Sequence, residues 1–436
     1  MRLEDSNWPF MPLAAISGVS GDKTAAPSVF KGPMRVASWG VTVSIGMFAW
    51  IALGVALQFA ASAAPANSAV VFSPAGYTAD LTYQQTEEVL VSRPLGFKLQ
   101  TAPFPKEPAL PGQNVVRGML WAWQRPDRAL PFIWDKGRGR LFLDLNRNRD
   151  FTDDPKGAFA SAAKENSQTF TNIDLVLPTA AGNHPLRLQL TFNSYGGPNM
   201  NVLAGLCSFW QARINLHGGD WQFGLLEGFQ ADSDSVPLEY VLLRPWAERQ
   251  RPYNLLSSSP DFCNFTKGLF FGNRAYELDW RFEPGGNVPK YRVMFKEQTP
   301  QLGELQVSGA DLHRLILTAK PGMTLLLDKP TGTLNVPIGS YSLDEIWLRK
   351  GDFEVMRLNA GKVTVDAQHA ATLVAGGPLT NSIEARSARD TLVLLYKLLG
   401  ADGGAYQFPR PDYQHPPEFA VFQGPNRLGG DKFRYG

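Results

Sequence analysis

Along most of the chain, apolar and polar residues alternate in short runs. Asn172–Leu177, His184–Phe192 and Ser208–Leu216 each place an apolar side chain at every second position. That period turns one face of a β-strand toward a core and the other toward water. Asn114–Trp123, Ala129–Trp134, Arg274–Phe282, Lys290–Phe295, Leu312–Thr318, Met323–Asp328, Lys362–Asp366 and Thr391–Tyr396 read the same way, separated by Gly- and Pro-containing turns. No comparable helical period stands out, so the fold class expected is all-β, as tandem β-sandwich domains.

One stretch breaks this pattern. Trp39–Phe59 is apolar throughout and carries no charge, and the small residues Ala61, Ser62 and Ala63 follow it. The run predicts an N-terminal helix that is either an export signal cleaved before Ala64 or a retained transmembrane anchor; a buried soluble helix is the third reading. Residues 1–38 are polar and rich in Pro and Gly, and are expected to be a disordered cytoplasmic segment or a signal n-region. Their Lys23, Lys31 and Arg35 lie on the side that stays in the cytoplasm. Everything after residue 63 is then periplasmic, at the cell surface or secreted, and residues 39–63 make the only membrane contact if they stay uncleaved.

Composition changes this picture little. With 42 Lys and Arg against 40 Asp and Glu, the net charge of +2 offers no electrostatic footprint for nucleic acid. Two cysteines, Cys207 and Cys263, are present, and in an exported chain they are either one disulfide or two buried thiols.

The candidate chemistry lies where the predicted strand Arg140–Asp144 runs into an acidic loop. Oxygen-bearing side chains occupy alternate positions, Asp144, Asn146, Asn148, Asp150 and Thr152, with Asp153 and Asp154 after them. Counted from Asp144, these are ligand positions one, three, five, seven and nine of an EF-hand loop, the seventh acting through its backbone carbonyl. Arg149 stands where glycine is usual and Pro155 where a bidentate glutamate is usual. The expected site is therefore a structural calcium loop, with Asp144, Asn146, Asn148, Asp150, Thr152 and Asp154 as metal ligands and Asp153 as an alternative closing residue. Its affinity class is weak, about 10⁻⁴–10⁻³ M. A solvated Asx-rich turn is the competing reading. Asp144→Ala is expected to lower stability in calcium and leave it unchanged in chelator.

Over Arg140–Pro155 the loop resembles the DxNxDGDxxDD-type loops of uncharacterised exported bacterial β-rich surface proteins. A weaker echo follows at Gly218–Asp234. The phrase Val336-Pro337-x-Gly339-x-Tyr341 resembles the strand–turn–strand of small prealbumin-like sandwiches, and the spacing of the strands after residue 358 fits an immunoglobulin-like one, with an open sheet as the alternative. These resemblances imply a β-rich region over 64–298, a prealbumin-like sandwich over 299–358 and an immunoglobulin-like sandwich over 359–436.

No GxSxG, HExxH, P-loop or dinucleotide-binding glycine pattern is present. His184, His217, His313, His369 and His415 never fall at metal-ligand spacing, and no residue is singled out as catalytic. Trp121, Trp123, Trp134, Trp210, Trp221 and Trp280 read mostly as core, with a carbohydrate-stacking platform as the minority reading. Glu277 and Asp279 read as one solvated strand face. The function expected is a non-enzymatic exported structural or adhesion-type protein with a calcium-stabilised loop. The alternatives are a carbohydrate- or peptide-binding module at the cell surface, with a surface glycan or protein as its partner, and an extracytoplasmic hydrolase whose carboxylates converge only in three dimensions.

Overall fold

Among the described residues, alternating strands bury their apolar faces against one another in two large sheets and three small ones. The computed structural model describes residues 14–15, 71–73, 76–110, 114–121, 129–161, 166–195, 199–216, 218–228, 238–253, 259–285, 289–319, 322–388, 391–410 and 412–434. The first large sheet has eight antiparallel strands, in the order Ala158–Ala160, Arg140–Leu143, Leu130–Asp135, Val115–Trp121, Val91–Gln100, Met200–Leu206, Gly182–Ser194 and Ser167–Thr179. In its longest hairpin, Leu186, Leu188, Leu190 and Phe192 point into the core opposite Phe170, Ile173, Leu175 and Leu177. Phe170 and Ile173 share that face although they are three apart, because Asn172 adopts a left-handed φ of 57° and inserts one extra residue. The insertion is a β-bulge.

The second large sheet has fourteen strands. Its centre runs Phe262–Asn264, Leu238–Pro245, Gly219–Glu227, Ser208–Leu216, Gly76–Gln85, Lys290–Gln298, Arg274–Glu283 and Gly268–Phe271. Several of these strands are buried on both faces. Phe209, Leu226, Tyr240 and Leu242 pack on the eight-stranded sheet, while their neighbours Trp210, Leu225, Val241 and Leu243 join Leu81, Val293 and Phe295 in a second core. Burying each such side chain contributes about 1.5–3 kcal/mol. A one-residue slip would exchange the two cores, so the register is fixed by packing.

The sheet then continues into the C-terminal half. Gly268–Phe271 pairs in parallel with Met323–Leu326, and Leu312–Ala319, Gly339–Lys350 and Phe353–Leu358 follow outward. A three-stranded sheet of Gly332–Pro337, Leu302–Ser308 and Ala371–Val374 covers this end, with Leu305, Val307 and Val336 packed on Leu315, Leu317 and Ile346. Val336–Tyr341 is the crossing between those sheets, and the Tyr341 hydroxyl donates to the Pro337 carbonyl at 2.7 Å.

The all-β character is as the alternation implies; the tandem sandwiches are not. The region expected to be prealbumin-like shares its large sheet with strands as far back as Gly76–Gln85. The region expected to be immunoglobulin-like is spread over four sheets. Lys362–Val365 joins the fourteen-stranded sheet, Ala371–Val374 the three-stranded one, Thr380–Ala388 and Thr391–Leu399 a four-stranded one, and Glu418–Gln423 pairs only with Asn426–Lys432. Alternation fixes which side of a strand is buried but not its partner, and here the partners lie far along the chain.

The N-terminal helix is likewise no part of the described architecture. Residues 39–63 lie outside the described residues, and among those described no helix is long and apolar enough to cross a membrane. The expected membrane contact through such a helix has no counterpart among the described residues. A single 3-10 turn, Trp246–Glu248, is the helical element among the described residues.

Candidate metal-binding loop

The acidic loop joins Arg140–Leu143 to Ala158–Ala160 at one edge of the eight-stranded sheet. Its two ends are tied together. Leu143 N donates to Gly157 O at 2.8 Å and Gly157 N to Asp154 O at 2.9 Å. A side chain at Gly157 would bring its Cβ to 2.2 Å from the Leu143 carbonyl oxygen, so only glycine lets the chain pass here. Inside the loop, Phe151 packs on Phe104 with ring centroids 4.8 Å apart, in a small core with Ile133.

Two arginines set the path of the loop. Arg147 and Arg149 have φ of 64° and 65°, the left-handed region that non-glycine residues enter at a cost. Arg149 thus takes up the conformation for which EF-hand loops use glycine at position six. With every second residue turned this way, the intervening oxygens are free to cap the backbone. Asp144, wholly buried, accepts from Asn148 N at 3.1 Å through Oδ1 and from Arg149 N at 2.6 Å through Oδ2. Asn146 Oδ1 accepts from Asn148 N at 3.0 Å, Asn148 Oδ1 from Asp150 N at 2.7 Å, and Asp154 Oδ2 from Leu145 N at 3.0 Å.

The six residues singled out from the spacing separate into two groups. Asp144, Asn146, Asn148 and Asp154 form one network, closed by Asp153, whose two oxygens accept from the Asn146 amide at 3.0 Å and the Asn148 amide at 2.7 Å. Asp150 and Thr152 belong to a second turn. Asp150 Oδ1 accepts from the Thr152 backbone N at 3.0 Å and from its hydroxyl. Asp150 Oδ2 lies 2.6 Å from Lys106 Nζ. Lys106 was not legible as part of the site, because it lies far back in the chain and carries no spacing signal. Its engagement of the Asp150 side chain leaves position seven open, since that position ligates through its carbonyl.

The electrostatics follow the same division. The Lys106 ammonium, with help from the Thr152 hydroxyl, pulls the Asp150 carboxyl down to about 2. Burial pushes the Asp154 carboxyl up, against the Leu145 N–H that favours its charge, and the neighbouring Asp144 and Asp153 carboxylates raise it further. Negative charge is thus concentrated at Asp144, Asp153 and Asp154.

The donor set consists of oxygens alone, which suits a hard cation. Each oxygen that caps one backbone N–H keeps a second lone pair. Among the described residues no three His, Cys, Asp or Glu side chains converge as a metal-holding group. The residues therefore fit a cation only as a mixed set in which the Asn146 and Asn148 amide oxygens complement the Asp144 and Asp154 carboxylates.

The other candidates resolve as follows. His184 is buried with its Nδ1 2.7 Å from Glu227, which also accepts from the Tyr291 hydroxyl at 3.0 Å. Burial drives the His313 imidazole down to about 3. His369 and His415 are exposed beside Asp366 and Asp412. Trp134 and Trp210 are core, Trp121 and Trp280 are partly exposed, and Trp221 is half-buried. His217, Trp123 and the acidic part of the second echo, residues 229–237, lie outside the described residues. Glu277 and Asp279 pair with Lys267 and Lys296 at the surface. Cys207 and Cys263 are buried free thiols, pushed up by burial to about 11 and about 12.

Compared with known proteins, the chain matches no family model, no curated protein and no solved structure. The resemblance to exported surface proteins built of prealbumin-like and immunoglobulin-like sandwiches is overturned by the shared fourteen-stranded sheet.

Proposed function

We propose that the chain is a non-enzymatic structural or adhesion-type protein whose Asp144–Asp154 loop is stiffened by calcium. The observation that supports this reading is the left-handed backbone at Arg147 and Arg149, which aligns the alternating oxygens of a fourfold-acidic loop. Asp144, Asn146, Asn148 and Asp154 would hold the ion, with Asp153 beside them. A bound calcium supplies positive charge that offsets the repulsion among Asp144, Asp153 and Asp154 and ties the edge of the eight-stranded sheet to its own loop.

The proposal includes a location outside the cytoplasm. A site of the weak class, about 10⁻⁴–10⁻³ M, fills only where calcium is near millimolar. Isothermal titration of the protein with calcium chloride, in chelator-treated buffer, tests the reading. One calcium per chain, lost in Asp154→Asn, is expected; no heat of binding at millimolar calcium contradicts it.

A further inference from the structure

Away from the acidic loop, three stretches of the chain meet around a surface cavity of about 360 Å³. They are the paired ends of Ser208–Leu216 and Gly219–Glu227, the Gly272–Asn273 turn, and the connection from Met323–Asp328 in the fourteen-stranded sheet to Gly332–Pro337 in the three-stranded one. The volume lies within the roughly 300–1,000 Å³ of small-molecule sites. Trp221, Phe271 and Leu326 give it an apolar wall, and the half-exposed Trp221 indole is braced edge-on by Phe271 with centroids 4.6 Å apart. Asn273, Asp328 and Lys329 form a polar rim.

The rim is preorganised. Buried Arg314 donates through Nε to Asp328 Oδ1 at 2.5 Å, and is itself fixed by the Leu243 and Pro260 carbonyls at 2.9 and 2.7 Å. Asn273 is held in a left-handed turn at φ 62°. The lining contains one acid and one base, Asp328 and Lys329. With Asp328 offset by Arg314, the Lys329 ammonium at the exposed rim is the one charge left over, too little to call for a strongly charged ligand. A fixed Asp328 carboxylate, with the Asn273 amide and the Lys329 ammonium beside an aromatic wall, suits a neutral ligand with an apolar face and a ring of hydroxyls.

We propose that this cavity binds a single sugar ring of a glycan, with Trp221 against the apolar face and Asn273, Asp328 and Lys329 on the hydroxyls. The site is independent of the calcium loop, since no residue is shared. Saturation-transfer difference NMR on the full chain tests it, using the methyl glycosides of glucose, galactose, mannose and N-acetylglucosamine at millimolar concentration. Transfer to the ring protons of at least one glycoside is expected. It should be lost in Trp221→Ala and kept in Trp280→Ala, which removes a partly exposed tryptophan elsewhere. Asn273→Gly keeps the left-handed turn, deletes the amide and should bind about tenfold more weakly; it carries the test if Trp221→Ala fails to fold. No transfer to any of the four, or transfer unchanged in both Trp221→Ala and Asn273→Gly, overturns the proposal.

Discussion

Lys106 and Asp150 are joined twice. The Lys106 ammonium lies 2.6 Å from Asp150 Oδ2, and the backbones form a parallel bridge in which Phe151 N donates to Lys106 O at 3.1 Å. The segment before Val115–Trp121 therefore clamps the acidic loop from outside, and the Phe104–Phe151 contact places a small apolar core beneath the clamp.

Replacing Lys106 with Ala removes the chief cause of the low Asp150 pKa. An NMR titration of the Asp150 carboxyl is expected to move from about 2 toward the ordinary aspartate value, about 3.9. The sign for stability follows from a folded-state value below the unfolded one. The contribution is fully present above pH ~4 and is lost as pH falls toward 2. Acid unfolding of Lys106→Ala should show less of that dependence.

The geometry revises the expectation for Asp144→Ala. Asp144 caps two backbone N–H groups from a wholly buried position. Removing it leaves the Arg149 N–H without its acceptor, a cost of about 1–3 kcal/mol, while the Asn148 N–H keeps Asn146 Oδ1. Urea unfolding in EDTA should therefore already show a loss of about 1–3 kcal/mol, so this variant measures the turn as well as any metal. Asp154→Asn, which keeps an acceptor for Leu145 N, separates the two.

Arg149→Gly tests the backbone strain. Glycine enters the left-handed region without the Cβ penalty of roughly 1–2 kcal/mol, and gives back part of that as unfolded-chain entropy. A gain of about 0.5–1 kcal/mol in urea unfolding is expected. A loss would mean that the Arg149 side chain contributes more than its backbone costs.

Glu345 supplies a second pH dependence. Burial pushes its carboxyl up to about 7, opposed by the Trp347 indole that donates to it at 2.6 Å and reinforced by Asp344. A folded-state value above the unfolded one means stability that is present below pH ~4.3 and lost as pH rises toward 7. Glu345→Gln keeps an acceptor for the indole and should be more stable than the parent at pH 7, with the difference shrinking at pH 5. Melting curves at the two pH values read this directly.

Much of this architecture is legible in the sequence, and its limits are physical. Period two in His184–Phe192 gives the buried face of that strand correctly, because burial repeats with the pleat. Nothing local announces that Gly268–Phe271 pairs with Met323–Leu326, since strand pairing depends on contacts that short-range alternation does not encode. In the loop, spacing brings Asp144, Asn146 and Asn148 together. It does not reveal that Asp153 would engage both asparagines or that Lys106 would hold Asp150. Those partners are chosen by how the loop closes on Gly157 and on the Phe104 core.

The most direct test is thermal unfolding of the full chain, and of its Asp154→Asn variant, in millimolar calcium and in EDTA. A ligand that binds only the folded state stabilises it by about 1.4 kcal/mol at ten times its dissociation constant. That corresponds to a rise of a few degrees for a domain of 150–250 residues. The account gives such a rise for the parent chain and none for Asp154→Asn. Identical melting temperatures of the parent in calcium and in EDTA would contradict it, leaving Asp144–Asp154 a turn closed by its own asparagines and Lys106.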